Sequence, residues 1–404
     1  MEKRKLGNSE LYINPVGLGC MGFSHASGDP TEKSVAVRTL REAYEIGYDF
    51  FDTAESYTGV NPDRTISYNE ELVGEAVKGI RDKVVIATKM GVSHTADRSL
   101  KLDSSPETIR RSVEGSLKKL GTDYIDLYYQ HRIDPKVAPE TVAETMSELI
   151  KEGKIRYWGI SEATEEYLRR ANAVCPVTAI ENRYSMMARW YETIFPVCEE
   201  LNVAYVAFSP MANGFLTGKY TPVTKFEGSQ DYRASMPQYT EEGFAKAKEL
   251  LDMLTKMAAE KNATMGQLSL AWMINKKPYI VPIPGSRKIE RLKEKDDSLD
   301  GFLDKMEQLF IQTDGKEKYH HFFHKKENHD LQMLMSVKLC ETIEPYMEEK
   351  LREMNENGIT RVGNIPLTAS YMLFGAVPVL ENDGLSTAEK ALGIRMIMKC
   401  ILEA

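Results

Sequence analysis

Short runs of β-branched and aromatic residues alternate with longer stretches whose apolar positions recur every three or four residues. The alternation persists over about the first 290 positions. The runs that predict strands are VGLGCMG, YDFFDT, KVVIATK, YIDLYYQ, IRYWGIS, TAIENRY, AYVAFSP and YIVPIPG, and a hairpin of Arg4–Leu6 with Leu11–Ile13 precedes them. Between them, EKSVAVRTLREAYEIG predicts a helix apolar at Val37, Leu40 and Tyr44 and closed by Gly47. NEELVGEAVKGI predicts another. SPETIRRSVEGSLKKLG opens on a Ser105 cap and Pro106 in the first turn, and a further helix runs from about Ala138 to Gly153. VVIATK is a continuous apolar run, as expected where both faces of a parallel strand are buried. Strand–helix alternation implies parallel strands joined by right-handed crossovers. Eight such units fit a closed (β/α)8 barrel better than an open doubly wound sheet.

After Lys295 the pattern changes. From Leu299 onward only helical periodicity is present, in FLDKMEQLFIQTD, in KYHHFFHKKENHDLQMLMSVKLCETIEPYMEEKLREMNENG, in PLTASYMLFGAVPVL and in STAEKALGIRMIMKCILEA. About 105 residues of helix is a domain's worth. The expected fold is therefore an α/β TIM barrel over residues 1–298 with an appended all-α C-terminal domain over 299–404.

Composition narrows the classes. The 404 residues, 42% of them hydrophobic, suffice for a core without disulfides or metal, and 27 Gly and 17 Pro exclude collagenous and low-complexity chains. A net charge of −8 argues against a dedicated nucleic-acid binder. The five cysteines (Cys20, Cys175, Cys198, Cys340, Cys400) are widely spaced and form no CxxC pair, which reads as reduced thiols in a cytoplasmic protein. MEKRKLGNSE leads into no apolar run, so no signal peptide is expected, and no run reaches the roughly 18 residues needed to span a bilayer.

Barrel chemistry sits at the C-terminal ends of strands. Those ends carry Asp52 in FFDT, Lys89 in IATK and His131 in YYQH, with Tyr57 five residues after Asp52. The set suggests carbonyl reduction. Tyr57, ordinarily titrating near about 10, could protonate a developing alkoxide if Lys89 lowers that value. Asp52 would hold Lys89 charged and in place, and a neutral His131 would orient the substrate oxygen. The hydride must come from a cofactor, since no side chain supplies one. Singly, each residue has a plainer reading: a turn cap, a rim ion pair, a packing phenol, a satisfied imidazole. Together at successive strand ends, the four support the chemical one.

FFDTAESYTG, VVIATKMG, YIDLYYQHRID and KIRYWGISEA resemble the strand-end motifs of the aldo-keto reductases, and NRYSMMAR, AFSPMANGFLTGKY and VPIPGSRKIERLKE extend the resemblance over about residues 3–295. It implies a (β/α)8 barrel that binds NADP(H), a small-molecule carbonyl substrate, and a tetrad of Asp52, Tyr57, Lys89 and His131 with Tyr57 as proton donor. It also implies cofactor contacts. Phe208 would stack on the nicotinamide and Ser161 would bind its carboxamide, with Met21, Asp52 and Glu181 beside them. Ser209, Met211, Gly214 and Gly218 would form a strap along the pyrophosphate. Gly285, Ser286, Arg287, Arg291 and Glu294 would surround the adenosine and its 2′-phosphate. Arginines in a first helical turn oppose the helix dipole unless an anion is bound, which favours NADP over NAD. Three positions depart from the family pattern: Glu162 for Asn, Glu181 for Gln, and Lys295 for Asn. A carboxylate at Glu181 can accept from an amide NH2 but cannot donate to its oxygen. The resemblance is expected to end at Lys295, before the family's last helix and C-terminal loop.

The tail, in helix pattern and a few positions, resembles the C-terminal effector domain of TetR-type regulators, as a fusion to the barrel. The resemblance implies a ligand-binding, dimerising segment, hence a homodimer through the helical domain. No basic recognition helix accompanies it, so neither DNA binding nor a transcription regulator is expected. His320 and His324 have the four-residue spacing that can chelate a metal, with His321 and His329 nearby, but no Cys or carboxylate completes a site and no metal is expected. The alternative to an NADP-dependent enzyme is a non-catalytic NADPH-binding sensor or interaction module that uses the tail.

Overall fold

Eight parallel strands form the centre of the computed structural model: β1 (Leu18–Gly19), β2 (Phe50–Asp52), β3 (Val85–Met90), β4 (Ile125–Gln130), β5 (Ile155–Ser161), β6 (Ala179–Arg183), β7 (Ala204–Phe208) and β8 (Ile280–Pro282). They pair in chain order. The edges also meet, since Gly17 N–H donates to Pro282 O and Gly19 N–H to Pro284 O, both at 3.0 Å. Residues 3–95, 99–226, 231–261 and 263–293 are described, together with the isolated positions Glu348, Arg352 and Ile365. All but those three lie in a unit spanning Met1–Asp304. Apart from those three positions, the expected all-helical domain with its histidines, Cys340 and Cys400 lies outside the described residues, as do Glu294 and Lys295.

Helices α1 (Lys33–Glu45), α2 (Asn69–Ala76), α3 (Pro106–Leu120), α4 (Pro139–Lys151), α5 (Glu165–Val174) and α6 (Phe195–Leu201) each follow one strand. Two more, α7 (Glu241–Lys261) and α8 (Met265–Lys276), lie between β7 and β8, and α9 (Ile289–Lys293) follows β8. The α3 boundaries have local causes. Ser105 accepts from Thr108 N–H, Pro106 occupies the first turn, and Gly121 ends the helix at φ +63°.

The strands are buried on both faces, but by different partners. Phe50, Val85, Ala87, Leu127, Tyr129, Ala179, Ala204 and Val206 fill the barrel interior, closed from below by Leu6, Leu11 and Ile13 of the N-terminal hairpin. Phe51, Ile86, Tyr128, Ile180 and Tyr205 face outward with the helices. Gly159 is required inside: a Cβ there would lie 2.4 Å from the Tyr129 ring. The period-two alternation then decides what the upper rim holds. Continuing 85–87 inward gives Lys89, 127–129 gives His131, 179 gives Glu181, and 204–206 gives Phe208.

Candidate active site

The inward register delivers Lys89 to the barrel axis with no solvent exposure. Its ammonium donates to Asp52 Oδ1 at 2.5 Å and to Thr53 O at 2.9 Å, and lies 3.4 Å from Glu181 Oε1. Burial alone would favour the neutral amine, but the fields of Asp52 and Glu181 prevail and hold Lys89 protonated. Burial raises the proton affinity of Asp52, with Lys89 acting in the opposite direction. Glu181 is pushed up to about 8 by burial and by repulsion from Asp52.

Tyr57 stands on the loop after β2, its ring 5.1 Å from the Lys89 ammonium. The His131 ring meets it edge-on at 5.6 Å, and His25 stacks on it at 5.8 Å. Its backbone is fixed from two sides, because its carbonyl accepts from Ser24 Oγ at 2.9 Å and from Asn69 N–H at 3.0 Å. Burial moves the Tyr57 phenol above its ordinary value, and Lys89 offsets only part of this while Asp52 and Glu181 add to it. The sequence-based expectation of a net lowering by Lys89 therefore does not describe this state; desolvation outweighs the ammonium. His131 is buried, bonded through Nδ1 to Ser56 Oγ at 3.3 Å, and held well below its ordinary value by burial and by the charges of Lys89 and Arg132. That lowering favours the neutral imidazole.

Around this centre, Ser161 Oγ donates to Glu181 O at 3.0 Å and accepts from Arg132 Nη1 at 3.1 Å. Glu162 sits at φ +52° and pairs with Arg132 Nε at 3.3 Å. The half-buried Phe208 ring has Arg183 5.4 Å and Arg132 6.0 Å from its centroid. Ser209, Asn213, Gly214 and Gly218 all have positive φ, which coils the segment after β7 into a tight strap that begins at Met211. Asn213 donates to Tyr232 Oη at 2.5 Å and to Ser209 Oγ at 3.3 Å. Met21 opens the turn after β1, and its carbonyl accepts from Ser24 and His25. Gly285 packs so closely on Gly19 that a Cβ would lie 2.8 Å from its carbonyl oxygen. Arg287 and Arg291 are exposed, Arg287 donating to Asp29 O at 3.0 Å, and Ser286 Oγ accepts from Lys288 N–H.

The profile of the Aldo/keto reductase family matches residues 15–309. The chain belongs to the aldo/keto reductase family. It is 37% identical over 292 residues to "Probable aldo-keto reductase 1" of Glycine max, covering 72% of this chain and 82% of that protein. The solved structure of an aldo-keto reductase from Bacillus halodurans in its holo form is 28% identical, with a TM-score of 0.57 over 76% of this chain and 96% of that one. An aldo/keto reductase of Klebsiella pneumoniae, solved with NADP and acetate, shares the fold at 24% identity and a TM-score of 0.55, over 79% of this chain and 99% of that one.

This aldo/keto reductase is thus an oxidoreductase of a family whose cofactor is NADP(H). The family match runs on to residue 309, which corrects the expectation that the resemblance ends at Lys295. Asp52, Tyr57, Lys89 and His131 come together as a cluster, joined by Glu181. Arg287 and Arg291 remain at the surface. Sequence reasoning missed Asn69, Ser24 and Ser56, which fix the loop and the imidazole, and also His25 and Arg132. The only signal for Asn69 was a helix beginning on a polar residue without an obvious cap. No helix among the described residues is long and apolar enough to cross a membrane.

Proposed function

We propose that the protein reduces aldehydes or ketones to alcohols with NADPH, with Tyr57 giving the proton. One observation carries this reading: a fully buried lysine, bonded to Asp52, aims its charge at a phenol whose other edge meets a neutral imidazole. The cofactor suits the residues present. Phe208 offers a half-buried ring with the Arg183 and Arg132 guanidiniums 5.4 and 6.0 Å from its centroid, and the buried Asn213 Oδ1 of the strap after β7 lacks a hydrogen-bond partner. When bound, NADPH supplies the hydride.

The chain's own residues handle the proton. As negative charge develops on the substrate oxygen, Tyr57 donates to it, and Lys89 stabilises the tyrosinate left behind. Asp52 keeps Lys89 in register. His131, bonded through Nδ1 to Ser56, presents its other nitrogen to the substrate side and orients the carbonyl. Arg287 and Arg291 are proposed to hold the 2′-phosphate, the basis for preferring NADPH to NADH. NADPH oxidation with a panel of aromatic and aliphatic carbonyls tests the reading. Turnover supports it, whereas tight NADPH binding without turnover on any carbonyl would establish the non-catalytic sensor instead.

A further inference from the structure

Two buried carboxylates face one buried ammonium in this site. Asp52 Oδ1 lies 2.5 Å and Glu181 Oε1 3.4 Å from Lys89 Nζ. Their other oxygens, Asp52 Oδ2 and Glu181 Oε2, are buried and lack a hydrogen-bond partner. Two acceptors cannot satisfy each other, but one proton placed between them satisfies both. The charge count points the same way: two carboxylates and one ammonium leave a net buried negative charge, which an interior removes by taking up a proton.

We propose that Glu181 is a positioning residue that carries this proton, a carboxylic acid hydrogen-bonded to Asp52, so that Lys89 faces one negative charge instead of two. The groups around it are Asp52 from β2, Lys89 from β3, Tyr129 from β4, Arg132 just after β4, and Tyr57 from the loop after β2. His131 beyond Tyr57 is neutral, and the Cys20 thiol behind Asp52 is held protonated by burial. Burial and Asp52 push the Glu181 carboxyl up to about 8, with Lys89 and Arg132 pulling it back only in part. Lys89 lowers the proton affinity of Tyr57, whereas Asp52 and Glu181 raise it. Glu181 as an acid therefore leaves Tyr57 the better donor, and its ionisation weakens Tyr57. The alkaline limb of carbonyl reduction then belongs to Glu181 and not to Tyr57.

The kinetic consequence rests on the reductase reading; the protonation itself does not. Infrared difference spectra of the full chain without cofactor, from about pH 6 to about pH 10, read the carboxyl directly. The expected result is a buried protonated-carboxyl C=O band that disappears across this range and is absent from Glu181→Gln. In Asp52→Asn, with the repulsion removed, the band disappears at lower pH; this second variant covers the case in which Glu181→Gln does not fold. With NADPH and a benzaldehyde, wild-type kcat should fall about tenfold across the same range, and in Glu181→Gln, whose amide donates permanently to Asp52, it should vary less than about twofold. No titrating band in the wild type, the same band surviving in Glu181→Gln, or the same alkaline fall in that variant overturns the proposal. A band that behaves as described in a protein that turns over no carbonyl supports the proposal and removes the reductase reading.

Discussion

The backbone N–H of Asn69 donates to the carbonyl of Tyr57 at 3.0 Å. Asn69 begins α2 and is itself held by three side-chain bonds, accepting from Thr53 Oγ1 at 2.7 Å and donating to Cys20 O at 2.9 Å and Ser24 Oγ at 2.8 Å. Ser24 completes the ring by donating to the same Tyr57 carbonyl. Three segments, the turn after β1, the loop after β2 and the start of α2, are tied together by one buried amide side chain, and the placement of the phenol depends on that knot.

Replacing Asn69 with Ala keeps the backbone bond and strands the partners of the amide. Unfolding free energy should fall by about 2–4 kcal/mol, since each stranded buried group costs about 1–3 kcal/mol. If the knot positions Tyr57, kcat should also drop about tenfold while NADPH affinity changes little. Urea melts and steady-state kinetics check both. A destabilised variant with wild-type kcat would show that the knot supports the fold alone.

Tyr57→Phe removes the proposed donor and little volume. Its kcat should fall by at least about 10²-fold, the usual contribution of a positioned acid, with NADPH still quenching protein fluorescence at wild-type concentrations. Full activity in this variant would assign the proton to another group.

Lys89→Met leaves the two buried carboxylates without their cation. Breaking a buried pair costs about 3–5 kcal/mol. The loss should be greatest above neutrality and smaller near about pH 5, where the carboxyls take up protons instead. Chemical denaturation at the two pH values measures the difference, and equal losses at both would mean that removing Lys89 changes carboxyl protonation at neither pH.

Glu181 also leaves a mark on the stability curve. Its folded value is raised from 4.5 to about 8, so between these the folded state holds a proton that the unfolded chain has released. Stability is then highest on the acid side of this window and declines as pH rises towards about 8, where both states have lost the proton. Glu181→Gln should flatten that decline and gain stability relative to the wild type at alkaline pH. Parallel urea titrations across the window would show it, and parallel curves for the two proteins would contradict it.

Arg287→Ala tests the phosphate assignment. A charge-assisted hydrogen bond contributes about 1.5–3 kcal/mol, so the preference for NADPH over NADH should shrink about tenfold to hundredfold. An unchanged ratio of kcat/KM for the two cofactors would leave Arg287 as a surface residue bonded to Asp29 and nothing more.

The strand and helix order was legible in the chain because a buried parallel strand and an amphipathic helix have different apolar periods. Seven of the eight expected runs contain their observed strand and KVVIATK falls one residue short of β3, which ends at Met90, while β1 and β8 are shorter than their runs. Strand ends likewise placed Asp52, Lys89 and His131, since an inward register carried along one strand needs no knowledge of its neighbours. What one strand shows to another was not legible. Glu181 reaches Lys89 from β6 and Asn69 reaches Tyr57 from α2, and such meetings depend on how closure of the sheet sets each strand's angle around the axis. The proton affinities followed from the same source. The sequence could name a lysine beside a tyrosine, but only the closed barrel buries Lys89 and partly buries Tyr57, and the resulting desolvation raises the phenol that the charge alone would have lowered.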